Sequence, residues 1–373
     1  MSVERAIELQ DKAWSLQGEG RFEEALIVCR EALRSIEESE GPESADAANL
    51  LNDLAEIESE RQNFQSALAL AERAQTIEDV LGGRFTGENA ARIRSKTLEL
   101  LGLTRCKLGD YGRAEDDLKR SVAIAAAQFG EASEQAAEAE NNLAVLYKYW
   151  GRFEEGLQLY ARALRSTIAL HGEESLSSGA VYHNIGGILH AQGDFAAAEK
   201  PARRAWEISR RLLGDDDPHT MLDAAAYAGI LDGLNRVEES EPIYRQALAI
   251  FETVFGPEHY ETASILHNLA AVLAARGHLE QAEEHYRRAL AIKEKLLGAD
   301  SPDVALTRNN LGRLLDGAGR PGEAVPLLER AVAVLEKQLT PGHPHLALAR
   351  ENLEQALRSL AASAMKHPDD SRM

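Results

Sequence analysis

The chain has 373 residues, a formal charge of −20 and 44% hydrophobic side chains. That length ordinarily suggests two or three domains, or one array of repeats that grows by adding units. No stretch of about 18 uninterrupted apolar residues marks a membrane span, no clustered cationic stripe suits nucleic acid, and two cysteines make no disulfide framework.

From the N-terminus, the first predicted element is a helical hairpin. Helix A carries Ala13, a turn follows at Gly20-Arg21-Phe22, and helix B carries Ala25 and Ala32. The same three small positions return along the whole chain. The first column is Ala13, Ala55, Gly102, Ala144, Gly186, Ala228, Ala270 and Gly312, with gaps of 42, 47, 42, 42, 42, 42 and 42. The second is Ala25, Ala67, Ala114, Gly156, Ala198, Ser240, Ala282 and Ala324, and the third is Ala32, Ala74, Ser121, Ala163, Ala205, Ala247, Ala289 and Ala331. A fixed period of this size means a repeat array. Small residues are needed where two helices cross closely, because a large side chain would prop the axes apart. Glycines at 109, 151, 193, 277 and 319 mark the turn between the two helices, where a left-handed residue ends helix A. The prediction is an all-α, right-handed α-solenoid of about eight helix-turn-helix repeats, each about 42 residues, over residues 1–362.

Two interruptions stand out. The 47-residue gap places five extra residues near 82–88, where Gly82, Gly83 and Gly87 predict either a plain loop insertion or a hinge between repeats 2 and 3. Residues 344–362 form an unpaired helix with Glu354 where a small residue would continue the column, which suits a terminal cap. The tail 363–373 is expected to be disordered. The negative charge is concentrated at the front, with 20 acidic against 8 basic side chains in residues 1–90. It reads as a solvated surface, or as a region that prefers a basic partner.

These residues resemble the tetratricopeptide repeat in its long form, that of kinesin light chains and their bacterial and signalling relatives. The resemblance rests on Asn141-Asn142-Leu143-Ala144-Val145-Leu146-Tyr147, on Arg287-Arg288-Ala289-Leu290-Ala291-Ile292-Lys293-Glu294, and on the connection Leu297-Gly298-Ala299-Asp300-Ser301-Pro302. It covers roughly residues 4–362. Repeat 6 departs from it, reading Ala225-Ala226-Tyr227-Ala228. The first repeat begins within a few residues of Met1, so the coiled coil of a motor light chain is not expected. The resemblance implies a peptide-binding groove lined by A helices, and it names no cargo.

No phosphate loop, zinc spacing or nucleophile elbow occurs, so no enzyme, cofactor or metal is expected. Cys29 and Cys106 read as reduced, buried thiols. The N-terminus, Met1-Ser2-Val3-Glu4-Arg5-Ala6, lacks the form of a signal peptide, which points to the cytoplasm. Arg outnumbers Lys about three to one beside much Ala and Leu, the codon bias of a GC-rich bacterium.

What remains is the inner face. The residues two and three before the first column are Asn141 and Asn142, His183 and Asn184, His267 and Asn268, and Asn309 and Asn310. One turn later the same face adds Lys148, Tyr149, His190 and Arg313. Asn is a poor interior helix residue, and its amide both donates and accepts. The column therefore either binds the backbone of an extended peptide in a groove of repeats 4–8 or knits neighbouring helices together. The chain is expected to be a protein-binding adaptor without membrane or nucleic-acid partners. The alternative is a structural or self-assembling scaffold that uses its ends or convex face.

Overall fold

The computed structural model describes residues 3–18 and 21–366, and among these it contains seventeen α-helices and no strand. The helices group into two compact units, Met1–Leu146 with Gln158–Leu170, and Tyr147–Leu157 with His171–Met373.

In the first unit α1 (Val3–Gly18) pairs with α2 (Phe22–Ser39), α3 (Ala45–Glu60) with α4 (Phe64–Leu81), and α5 (Gly87–Lys107) with α6 (Tyr111–Phe129). Next come α7 (Glu134–Trp150) and α8 (Phe153–His171), each of which contributes to both units. In the second unit α9 (Leu176–Gln192) pairs with α10 (Phe195–Leu213), α11 (Pro218–Gly233) with α12 (Val237–Val254), α13 (Tyr260–Ala275) with α14 (Leu279–Leu297), and α15 (Pro302–Gly317) with α16 (Pro321–Gln338). The last helix, α17 (Pro344–Lys366), packs on α15 and α16.

The small columns sit at the crossings. Ala13, Ala55, Ala144, Ala228 and Ala270 are wholly buried, as are all eight residues of the third column. Glycine is required where the crossing is tightest. A Cβ on Gly102 would lie 2.4 Å from Leu118 Cγ, one on Gly312 2.7 Å from Leu328 Cγ, and one on Gly186 2.9 Å from Ala202 Cβ. Helices this close exclude water and gain dispersion contacts along their length.

The turns follow the glycine signal. At Gly193 (φ +88°) the left-handed backbone lets its N–H reach the His190 carbonyl at 2.9 Å, while the next N–H reaches Leu189 at 2.9 Å. The second and sixth pairs lack a glycine there, and Gln62 (φ +62°) and Asn235 (φ +61°) adopt the same backbone. Gly20 lies outside the described residues.

The insertion is a structured turn inside the first unit and does not separate the two units. Gly82–Arg84 make one 3-10 turn, and Phe85 drops into the core beside Ile77, Ala90 and Ile93. The Arg94 guanidinium covers the Phe85 ring at 4.9 Å. The terminal helix runs on to Lys366, past the expected end at 362, and the rest of the tail lies outside the described residues. Glu354 is exposed on this helix, together with Leu348, Leu357 and Leu360.

In the second unit two parts far apart in sequence meet. His343, 3% exposed, packs its ring 5.7 Å from that of Phe153. A Cβ on Gly151 (φ +81°) would lie 2.7 Å from His343 Cδ2, so only glycine admits the ring.

Two outcomes test this packing. Ala270→Leu overfills a closed crossing and should cost about 1–3 kcal/mol, whereas Ala299→Leu in a loop should leave the thermal melt unchanged. Equal melts for the two variants would contradict the register. Phe85→Ala removes the anchor of the insertion and should cost about 3 kcal/mol. Limited trypsin digestion should then cut after the exposed Arg84 sooner than in the parent protein.

Candidate functional site

In each unit, successive A helices touch one another: α3 with α5 in the first, and α9, α11, α13, α15 and α17 in turn in the second. Polar side chains cross these A–A seams, bonding residues one repeat apart. In the first unit Gln10 Nε2 donates to Asp53 at 2.5 Å, and Lys96 Nζ meets Glu56 at 2.8 Å. The Thr97 hydroxyl accepts from Asn52 Nδ2 at 2.8 Å and donates to Glu78. Asn142 Nδ2 donates to Glu99 at 3.3 Å, and the same carboxylate accepts from Ser121 at 2.9 Å.

The second unit continues the pattern. His183 Nδ1 lies 2.7 Å from Asp223 Oδ1. His267 Nε2 accepts from Asn310 at 3.0 Å, which leaves the proton on Nδ1 to be donated to the Thr307 hydroxyl at 3.1 Å. Asn309 donates to Asn310 at 3.1 Å and accepts from Asn352 at 3.0 Å. An amide buried between helices costs free energy unless it is bonded, so these bonds account for Asn142, Asn309 and Asn310 on structural grounds.

The predicted groove residues therefore divide. Asn141 and Asn142 belong to the first unit and the other ten to the second. Asn142, His183, His267, Asn309 and Asn310 are engaged across seams. Asn184 is half-buried next to His183, and Lys148 Nζ stands 4.8 Å over the Tyr149 ring. His190 meets Phe195 edge-on at 5.3 Å. Among the described residues, half-buried Asn268 has no hydrogen-bond partner, and exposed Arg313 has no ion pair. That is unusual here, because most arginines of the chain are paired with a carboxylate, as Arg276 is with Glu241, Arg308 with Glu294 and Arg320 with Glu283.

Sequence reasoning passed over Asp223 and the buried carboxylates. For Asp223 the signal was spacing, since it follows His183 by the same 40 residues that separate Thr307 from His267. Both cysteines are buried and free. Among the described residues no group of three His, Cys, Asp or Glu side chains is placed to hold a metal, and no helix is long and apolar enough to cross a membrane.

Burial shifts protons oppositely in the two units. In the first, desolvation raises Glu78 to about 7, and desolvation with the nearby Glu138 charge raises Glu99 to about 7. In the second, desolvation lowers His267 to about 3 and His343 to about 4, each helped by the neighbouring charge of His345 or Lys293. Desolvation and His345 also lower His190 to about 4. Water still reaches the His190 ring although protein surrounds it on most sides, so it contributes less than His343. Asp232, raised to about 6 by desolvation, works against the histidines.

The pattern of the tetratricopeptide repeat matches residues 6–77, 94–169, 135–211, 177–252, 220–295 and 261–337. Tetratricopeptide repeat protein 23 of Bos taurus is 23% identical over 205 residues, 55% of this chain and 45% of that protein. The chain spans less than half the length of the curated relatives it matches. A crystal structure of a Rap protein complexed with competence and sporulation factor superposes with a TM-score of 0.57 at 15% identity, covering 97% of this chain and 99% of that one. BtubC (BKLC) from P. vanneervenii gives 0.43 at 21% identity, over 73% of this chain and 96% of that one.

The opposed shifts yield a prediction. Glu78 and Glu99 bind protons more tightly folded than unfolded, so the first unit gains stability as pH falls from 8 toward 5 and loses it as pH rises through 7. The histidines bind protons less tightly folded, so the second unit keeps its stability above about 6.5 and loses it as pH falls toward 4. Hydrogen exchange at pH 7.5 and 5.5, corrected for intrinsic rates, should show protection rising in α5 and α6 and falling in α13 and α15. Movement of both units in one direction would contradict these assignments.

Proposed function

The chain belongs to the tetratricopeptide-repeat family, and we propose that it is a non-enzymatic, cytoplasmic bacterial adaptor that binds an extended peptide along its A helices. The observation that carries this reading is the pair Asn268 and Arg313. Both stand on the A-helix face of the second unit, and neither is engaged by the polar bonds that occupy their neighbours. An unbonded amide offers a donor and an acceptor to a peptide backbone of any sequence. An unpaired guanidinium offers a bidentate site for a carboxylate. Lys148, over Tyr149, adds a second cation. Asn184 and His190 complete the set in the second unit. The partner fitted by these groups is an extended segment with acidic side chains. The repeat family, and the Rap neighbour's complex with competence and sporulation factor, support a partner-binding role of this kind.

The second reading is a scaffold that assembles through its ends. Leu348, Leu357 and Leu360, exposed on the terminal helix, favour it.

Selection of linear peptides from a random display library should enrich acidic sequences. A selected peptide titrated by calorimetry should bind Asn268→Ala/Arg313→Ala about tenfold or more weakly, since each lost contact is worth on the order of 1 kcal/mol or more. The melting temperature should hold or rise, because alanine is the better helix former. Unchanged affinity, together with a mass that grows with concentration in light scattering, would establish the scaffold instead.

A further inference from the structure

A cavity of about 450 Å³ opens in the second unit where α9, α10 and α11 meet. Leu176, Ala180, Ile208, Leu213 and Leu222 make up most of its wall. Leu176 and Leu213 remain 45% and 39% exposed. The space exists because of small residues on α9. Gly179 and Ala180 stand where the next repeat carries Met221 and Leu222, and Met221 is buried in its core. The volume lies in the range that encloses a small organic molecule.

The polar part of the lining is His183, Asn184, Ser209, His219 and Asp223, and Asp223 is its acidic group. The Asp223 side chain, 15% exposed, bonds His183 Nδ1 through Oδ1, while its second oxygen has no partner among the described residues. The positions one and two repeats later hold Ile265 and Thr307, so a charge at this seam is particular to this repeat. A half-buried carboxylate beside apolar walls is costly unless it is paired. No lysine or arginine lines the cavity to pair it. The seam itself does not need the charge, since the corresponding bond from His267 is made by a neutral hydroxyl.

We propose that this cavity is a binding site for a small apolar amine. Its ring or branched chain packs among the leucines and Ile208, and its protonated nitrogen donates to Asp223. His183 holds that carboxylate in place through Nδ1. A ligand of this kind neutralises the charge and covers the exposed leucines together, which neither an anion nor a neutral hydrocarbon does. Asn184 lines this cavity too, but the amine is held by Asp223 and the apolar wall, so its test uses neither Asn268 nor Arg313.

Saturation-transfer NMR and calorimetry with tryptamine, phenethylamine and isoamylamine test this, with indole-3-acetate as the matched anion. At least one amine should bind, about tenfold or more tighter than the anion, as a charge-assisted hydrogen bond requires. Asp223→Asn should erase that preference and leave the melt intact. Gly179→Met, which copies Met221, should abolish binding by filling the space. Its new Cβ would meet Ile208 Cγ2 at 3.3 Å, so Ala180→Leu provides a second filling that decides the matter where the first fails to fold. Absence of binding by all three amines up to about 10 mM, equal affinity for amine and anion, or binding that survives filling would each overturn the proposal.

Discussion

Everything in this chain depends on how closely two helices of a pair can approach. At the crossing there is room for a methyl group or a hydrogen and nothing more, as the blocked Cβ positions of Gly102, Gly186 and Gly312 show. That spacing fixes which residues face each other, and so fixes the length of the repeat. It also explains why the sequence tolerates five extra residues at only one place. The insertion falls between one pair and the next, where no crossing is shifted, and Phe85 fastens it to the core.

The polar seams add a second level of order. Apolar packing alone would let neighbouring A helices slide, since methyls and leucines accept many registers. A bond such as Asn309 to Asn352, or His267 to Asn310, is satisfied in one register only. Leaving these groups unbonded costs more than the bond contributes when made, so the seams select a geometry more than they strengthen it. The side chains left outside the seams are then few, and they stand out because everything around them is engaged.

Much of this was legible in the sequence, and the failures have a common cause. The three small columns could be read because each member obeys one local rule, that of a closed crossing. The left-handed turns could be read wherever glycine marks them, and not at Gln62 or Asn235, where the hairpin imposes a backbone that the residue does not favour. The asparagine column was visible, but its role depended on residues one repeat away on a different helix. Only contact geometry shows that Asn142 and Asn309 are bonded while Asn268 is not. Phe85 read as part of a glycine-rich loop because burial is decided by what surrounds a side chain and not by its neighbours in sequence.

The packing of His343 against Phe153 has a mechanical consequence. An array whose units touch only their neighbours stretches like a spring, each seam yielding a little and the displacements adding. Within the second unit, the turn at Gly151 and the loop before α17 are joined directly, which bridges the coils between them. Load applied across those helices is carried in parallel by that contact and by the seams. The unit therefore resists extension until the bridge parts and then softens abruptly, giving a threshold in place of a uniform compliance.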